Sequence, residues 1–152
     1  MSSFRKDLAA GLHVEGLVLG MLQRKYPCAT MVAAYKGYDI WVPETHKSIE
    51  VKYDPMSNAT GNFVIEVEYN SKPSALLTTT ADYWILYDDR VFAWLKPRRI
   101  FECVILNELP LREFIGDGDS VAKRAYLVKK ELLFMYAETI SKHGNQRTEG
   151  AL

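Results

Sequence analysis

Apolar positions run through this chain in two rhythms. From Ser3 to Lys25 they recur at helical spacing: Phe4, Leu8, Leu12, Leu19 and Leu22 fall on one stripe, with Ser2 or Ser3 as a cap and Pro27 as the stop. Beyond Pro27 the rhythm shortens. Thr30–Ala34, Tyr38–Val42 and Ile49–Tyr53 are β-branched and aromatic runs separated by Lys36-Gly37 and Pro43-Glu44-Thr45-His46, which predicts three strands. Turn formers (Pro55, Ser57, Asn58, Gly61, Asn62) lead to a fourth strand, Phe63–Tyr69. Ser71-Lys72-Pro73-Ser74 reads as a helix start, with proline where its missing N–H costs nothing, and the helix should end in Thr78-Thr79-Thr80. Asp82–Tyr87 and Val91–Leu95 are apolar enough to be central strands joined across Asp88-Asp89-Arg90. A helix from Pro97 to about Leu109 follows, then a loop at Gly116–Asp119. Ala122–Ile140 reads as a short strand (Ala125–Val128) running into a helix, with the last ten residues frayed.

This order predicts an α/β fold: a mixed, partly antiparallel central sheet flanked by helices. The 152 residues suit one domain, with a core of about 3–109 and a C-terminal extension, 110–152. No repeat or linker divides the chain. Nineteen basic and nineteen acidic residues cancel, so any hold on nucleic acid depends on a local groove and not on bulk charge. Two cysteines, Cys28 and Cys103, are too few for a disulfide framework or an all-cysteine zinc site, and are expected to be reduced, buried thiols. No apolar run approaches the ~18 residues of a membrane span and the N-terminus is polar, so no membrane partner and a cytoplasmic setting are expected.

The chemistry lies in four charged residues. Along Ile49-Glu50-Val51-Lys52-Tyr53 the side chains alternate, so Glu50 and Lys52 share a face opposite Ile49, Val51 and Tyr53. In the strand before it, Tyr38, Ile40 and Val42 face one way, Asp39 and Trp41 the other. A hairpin centred on Glu44-Thr45 sets Asp39 opposite Glu50, and two carboxylates so placed repel unless a cation intervenes. Glu15 lies near the centre of the apolar stripe of the first helix, costly for a carboxylate unless it is paired or bound to a metal. Oxygen donors beside a lysine suit Mg²⁺-assisted phosphodiester hydrolysis. Glu66 and Glu68 share a strand face that can continue toward this group, or can simply be solvated. His13 and His46 are not spaced as a metal pair. Asp117-x-Asp119 is no calcium loop, because position twelve would be Val128.

Asp39, then Glu50-Val51-Lys52, with a glutamate on an N-terminal helix, resembles the PD-(D/E)xK nuclease superfamily, and within it small Holliday-junction resolvases and phage endonucleases. The likeness runs from about Leu12 to Arg99. Gly61–Glu66, Ser74 and Thr79-Thr80-Ala81-Asp82-Tyr83-Trp84 are similar to the phage-type members; Tyr38 stands where the family has proline. The resemblance implies a restriction-endonuclease-like fold with Asp39 and Glu50 as metal ligands, Lys52 as the catalytic lysine and Glu15 completing the site. It adds the Val51 carbonyl as a ligand, Mg²⁺ (with Mn²⁺ as substitute), branched or structured DNA as substrate, and a homodimer that cuts two strands. DNA contacts are expected from Lys36, Lys47, Lys72, Arg98 and Arg99, with Lys72 and Ser74 at a helix N-terminus that cradles phosphate. Nothing in the residues separates DNA from RNA. A non-catalytic nucleic-acid-binding module that kept the fold is the alternative. The stretch Leu132–Tyr136 either supplies an interface or covers the sheet.

Overall fold

Two adjacent strands, Tyr83–Tyr87 (β6) and Val91–Leu95 (β7), are almost wholly buried because both of their faces are covered. The structure, a computed structural model, describes residues 3–33, 35, 37–115 and 120–142. Before β6 come a helix, Ser3–Gln23 (α1), and the strands Thr30–Met31 (β1), Ile40–Val42 (β2) and Lys47–Tyr53 (β3). A short helix, Ser57–Thr60 (α2), and strands Asn62–Tyr69 (β4) and Lys72–Pro73 (β5) follow β3. After β7 come Pro97–Leu106 (α3), Arg112–Phe114 (β8), Lys123–Lys129 (β9), Lys130–Phe134 (α4) and Thr139–Lys142 (β10).

Six strands form a mixed sheet in the order β1-β2-β3-β6-β7-β10. The β3–β6 pair is parallel, Ile49 beside Tyr83 and Glu50 beside Trp84, and the other pairs are antiparallel. The expected architecture, a mixed central sheet flanked by helices, is therefore present. A second sheet was not expected: β4 pairs with β5 and β9, and β9 with β8, in a four-stranded antiparallel sheet.

One face of the main sheet (Ile40, Val42, Ile49, Val51, Ile85) packs on Val14, Val18, Met21 and Leu22 of α1. The other face (Trp84, Leu86, Ala93, Leu95) is closed by α3, α4 and the inner side of the second sheet, through Phe63, Ile65, Val128 and Leu133. The two layers are also joined by charge. Lys130 pairs with Asp88 and donates to Asn58 Oδ1 at 2.7 Å, while Asp88 Oδ1 accepts from the backbone of Arg90 and Val91 at 2.8 Å each. Asp88 is 1% exposed and Lys130 9%.

Several expectations need correction. The buried stripe of α1 runs through Val14, Val18 and Met21-Leu22, while Leu8 and Leu12 are 54% and 57% exposed. The sheet reaches only the C-terminal half of the helix; the side chain of Phe4 lies outside the described residues. The helix expected from Ser71 is instead a hairpin: Asn70 and Ser71 both take positive φ (51° and 60°), and Tyr69 pairs with Lys72. A single 3-10 turn, Ala75–Leu77, follows. Residues 130–134 form one short helix, and Ser141 lies in a strand beside β7 and not in a continuing helix. Leu133 is buried and Leu132, Phe134 and Tyr136 pack on the core, so that stretch covers the sheet. Cys103 is buried as expected, but Cys28 is exposed. Ala34, Lys36, the loop at Gly116–Asp119 and the last ten residues lie outside the described residues. Among the described residues no helix is long and apolar enough to cross a membrane.

Candidate active site

The turn Pro43–His46, closed by positive φ at His46 (53°), sets the β2–β3 register with Ile40 beside Ile49. Carried one step further, that register puts Asp39 level with Glu50, as the sequence predicts. Strand pairing ends at Ile40, however. Asp39 still gives its N–H to the Ile49 carbonyl at 2.9 Å, but its carboxylate folds back along the edge of β3. Oδ2 accepts the N–H of Val51 at 2.8 Å, so it does not stand over Glu50. Tyr38 is corrected too: it packs with the second core, on the face away from Ile40. Carbonyls two residues apart on a strand point to one edge. The Val51 carbonyl therefore faces the edge at which Asp39 stands.

Glu15 comes from the α1 side of the sheet. It sits on the flank of the buried stripe and not at its centre, half-buried, beside Asp39. Burial, the charge of Asp39, a hydrogen bond with it and the charge of Glu50 push the Glu15 carboxyl up to about 7, against a pull from Lys52. Glu50 and Lys52 stand on the opposite face, as alternation requires. Lys52 Nζ is 3.0 Å from Glu50 Oε1 and 5.3 Å from the centroid of the Trp84 ring. Burial raises the Glu50 carboxyl above its ordinary value; Lys52 opposes this and Asp39 adds to it. The four predicted residues thus meet around the free edge of β3, from both faces of the sheet.

Glu50 and Lys52 line a cleft of about 150 Å³ with Gly37, Glu66, Thr79 and Trp84. Glu66, left open by the sequence, lines this cleft, its Oε2 accepting from Ser74 Oγ at 2.8 Å. The signal was the strand face it shares with Glu68, opposite Phe63 and Ile65, but where that face points depends on the second sheet. A Cβ at Gly37 would lie 2.4 Å from Thr80 Oγ1 and from the Tyr35 ring, so one added there would push those side chains aside. Asp82 Oδ2 accepts from Ser48 N and Oγ at 2.9 and 3.1 Å, tying the starts of β3 and β6. Thr79 Oγ1 accepts from Trp84 Nε1 at 3.0 Å, so the segment Thr79–Trp84 holds the cleft wall.

The expected DNA-contacting residues are scattered. Lys72 is exposed in β5, and Ser74 donates its Oγ to Glu66 at the start of a single 3-10 turn, not at the N-terminus of the longer helix expected from Ser71. Arg99 pairs with Glu102 of its own helix and lies 4.8 Å from the Tyr136 ring centroid. Lys47 and Arg98 share a separate pocket with Lys96 and Asp82. Lys36 lies outside the described residues.

No protein-family model matches this sequence, and no curated protein does. The chemistry must be read from the residues themselves. Among the described residues, no three His, Cys, Asp or Glu side chains form a ready metal cage. Mg²⁺ does not need one, since it keeps several waters and takes one or two carboxylates. Oxygen donors crowded enough to push up Glu15 are a donor set that such a cation suits.

Proposed function

We propose that this chain is a metal-dependent endonuclease that hydrolyses DNA phosphodiester bonds with metal-activated water. The supporting observation is the meeting of Glu15, Asp39 and Glu50 at one strand edge, with Lys52 paired to Glu50. Asp39, Glu50 and the Val51 carbonyl would hold Mg²⁺ or Mn²⁺, with Glu15 beside them. When bound, the ion polarises the phosphoryl oxygen and lowers the pKa of its water. Lys52 stabilises charge that develops on the phosphate, and its pairing with Glu50 holds the ammonium at the cleft. Asp39, anchored to Val51 N–H, fixes the position of its carboxylate before substrate arrives. The same reading carries a restriction-endonuclease-like fold, DNA as partner, a homodimer for double cuts and a cytoplasmic setting, phage-encoded in a bacterial host.

Cleavage of supercoiled plasmid in Mg²⁺, Mn²⁺ or EDTA, beside Glu50→Ala, tests the reading. Metal-dependent nicking by the wild type alone is expected, and Lys52→Ala should lose at least ~100-fold in rate while still binding metal. Cutting by Glu50→Ala at the wild-type rate would remove the site. Binding without cutting under every metal would favour a non-catalytic module.

A further inference from the structure

The carboxylate cleft does not end at Trp84. Lys52, Glu66, Ala75 and Trp84 are shared with a second, larger groove of about 400 Å³ between the two sheets. That volume lies within the ~300–1,000 Å³ usual for small-molecule sites. Its walls are apolar and aromatic, with Met56, Val64 and Phe114 accessible at the rim and Phe63, Ile65 and Leu86 behind them. Its mouth is charged: Lys52 on the main sheet, Lys123 on β9 and 5.9 Å from the Phe114 ring centroid, and the carboxylates of Asp54 and Glu66.

From this juxtaposition we propose that the groove receives one unpaired nucleobase of the strand whose phosphate lies at Glu50 and Lys52, so that the substrate is single-stranded or locally unpaired DNA. The inference rests on the nuclease reading and deepens it. An alkyl chain would match the walls but make no use of the four charged groups at the mouth. A nucleobase matches both. Its faces stack on Phe114 and Met56, its edge carries donors for Asp54 and Glu66, and the phosphates beside it meet Lys52 and Lys123. Sharing of the Lys52–Trp84 wall lets one nucleotide touch both spaces. A base inside a duplex is stacked and paired and cannot enter, whereas an unpaired base needs little or no such disruption.

The test is binding in EDTA, where no hydrolysis occurs. Fluorescence anisotropy compares a fluorescein-labelled single-stranded oligonucleotide with the same sequence as a duplex, for wild type, Phe114→Ala and Phe114→Tyr. Wild type should prefer the single strand. Phe114→Ala should weaken single-strand binding about tenfold while duplex binding stays within about twofold, and Phe114→Tyr, which keeps the ring, should restore it. Equal affinity for both forms, no single-strand binding, or equal losses in Phe114→Ala and Phe114→Tyr would each overturn the proposal. Plasmid cutting is scored separately. A protein that cuts in Mg²⁺ without strand preference loses the base slot and keeps the nuclease reading. One that binds single strands through Phe114 and never cuts keeps the slot as a binding site and loses hydrolysis.

Discussion

Asp39 uses one carboxylate for two tasks, and its substitutions separate them. Asparagine keeps an oxygen for the Val51 N–H and removes the charge that crowds Glu15; alanine leaves that part-buried N–H, at the edge of β3, without its side-chain acceptor. In EDTA, Asp39→Asn should therefore melt at or above the wild-type temperature, and Asp39→Ala should lose about 1–3 kcal/mol. Equal melting of the two would show that the Val51 contact adds nothing. Glu15 carries its own signature. Its folded carboxyl titrates at about 7 against 4.5 unperturbed, so the folded state holds that proton more tightly than the unfolded chain. The resulting stability is full below pH 4.5 and fades as the pH rises through 7. Glu15→Gln should flatten the metal-free stability profile between those limits and raise stability at pH 8, as measured by urea denaturation in EDTA. An unchanged profile would mean that another group titrates there. The partnership of Asp39, Glu50 and Lys52 was legible because strand parity and a four-residue turn leave little freedom of register. The place of Glu15 was less so, because which turns of α1 are covered depends on how far the sheet extends beneath them.

Elements misread from the sequence share a cause. Lys72-Pro73 looks like a helix start because proline suits a first helical turn, but it suits an edge strand equally. Asn70-Ser71, both left-handed, decided the matter as a two-residue hairpin turn. β10 has a single buried residue, Ser141, and β8 has none, so neither shows the apolar alternation that marks a strand. The strands β6 and β7, apolar throughout, were read correctly for the opposite reason. The link between layers is also invisible in the sequence, because Lys130 and Asp88 are far apart in the chain. Burial raises the Asp88 carboxyl, but the Lys130 hydrogen bond and the N–H groups of Val91 and Arg90 outweigh it and hold it below its ordinary value. That contribution is present above pH 3.8 and is lost as acid protonates Asp88. Lys130→Ala would strand a buried charge, and a loss of about 3–5 kcal/mol in urea denaturation at pH 7 is expected. A loss under ~1 kcal/mol would mean that water reaches Asp88.

At the scale of the whole molecule the two sheets are interleaved along the chain. The connection between the parallel strands β3 and β6 contains β4 and β5 of the second sheet. The segment expected as an extension supplies β8, β9 and α4, and β10 of the main sheet. A chain ending at residue 109 would uncover Phe63, Ile65, Ala93 and Leu95 at once. It should bind a hydrophobic dye and melt without a cooperative transition; a sharp transition would show that the first 109 residues fold alone. The mixed sheet was predictable from short apolar runs between turn signals. The second sheet was not, because β4 reads the same whether its neighbour is β3 or β9.

The last strand of the main sheet, β10, pairs with β7 and comes from nearly the end of the described chain. During synthesis the ribosome still holds those residues when β6 and β7 have already emerged. Until β10 arrives, the hairpin presents an open apolar edge to its surroundings, the kind of edge that recruits stray strands. The nascent protein is therefore expected to depend on chaperone cover until β10 has emerged and closed that edge by pairing with β7.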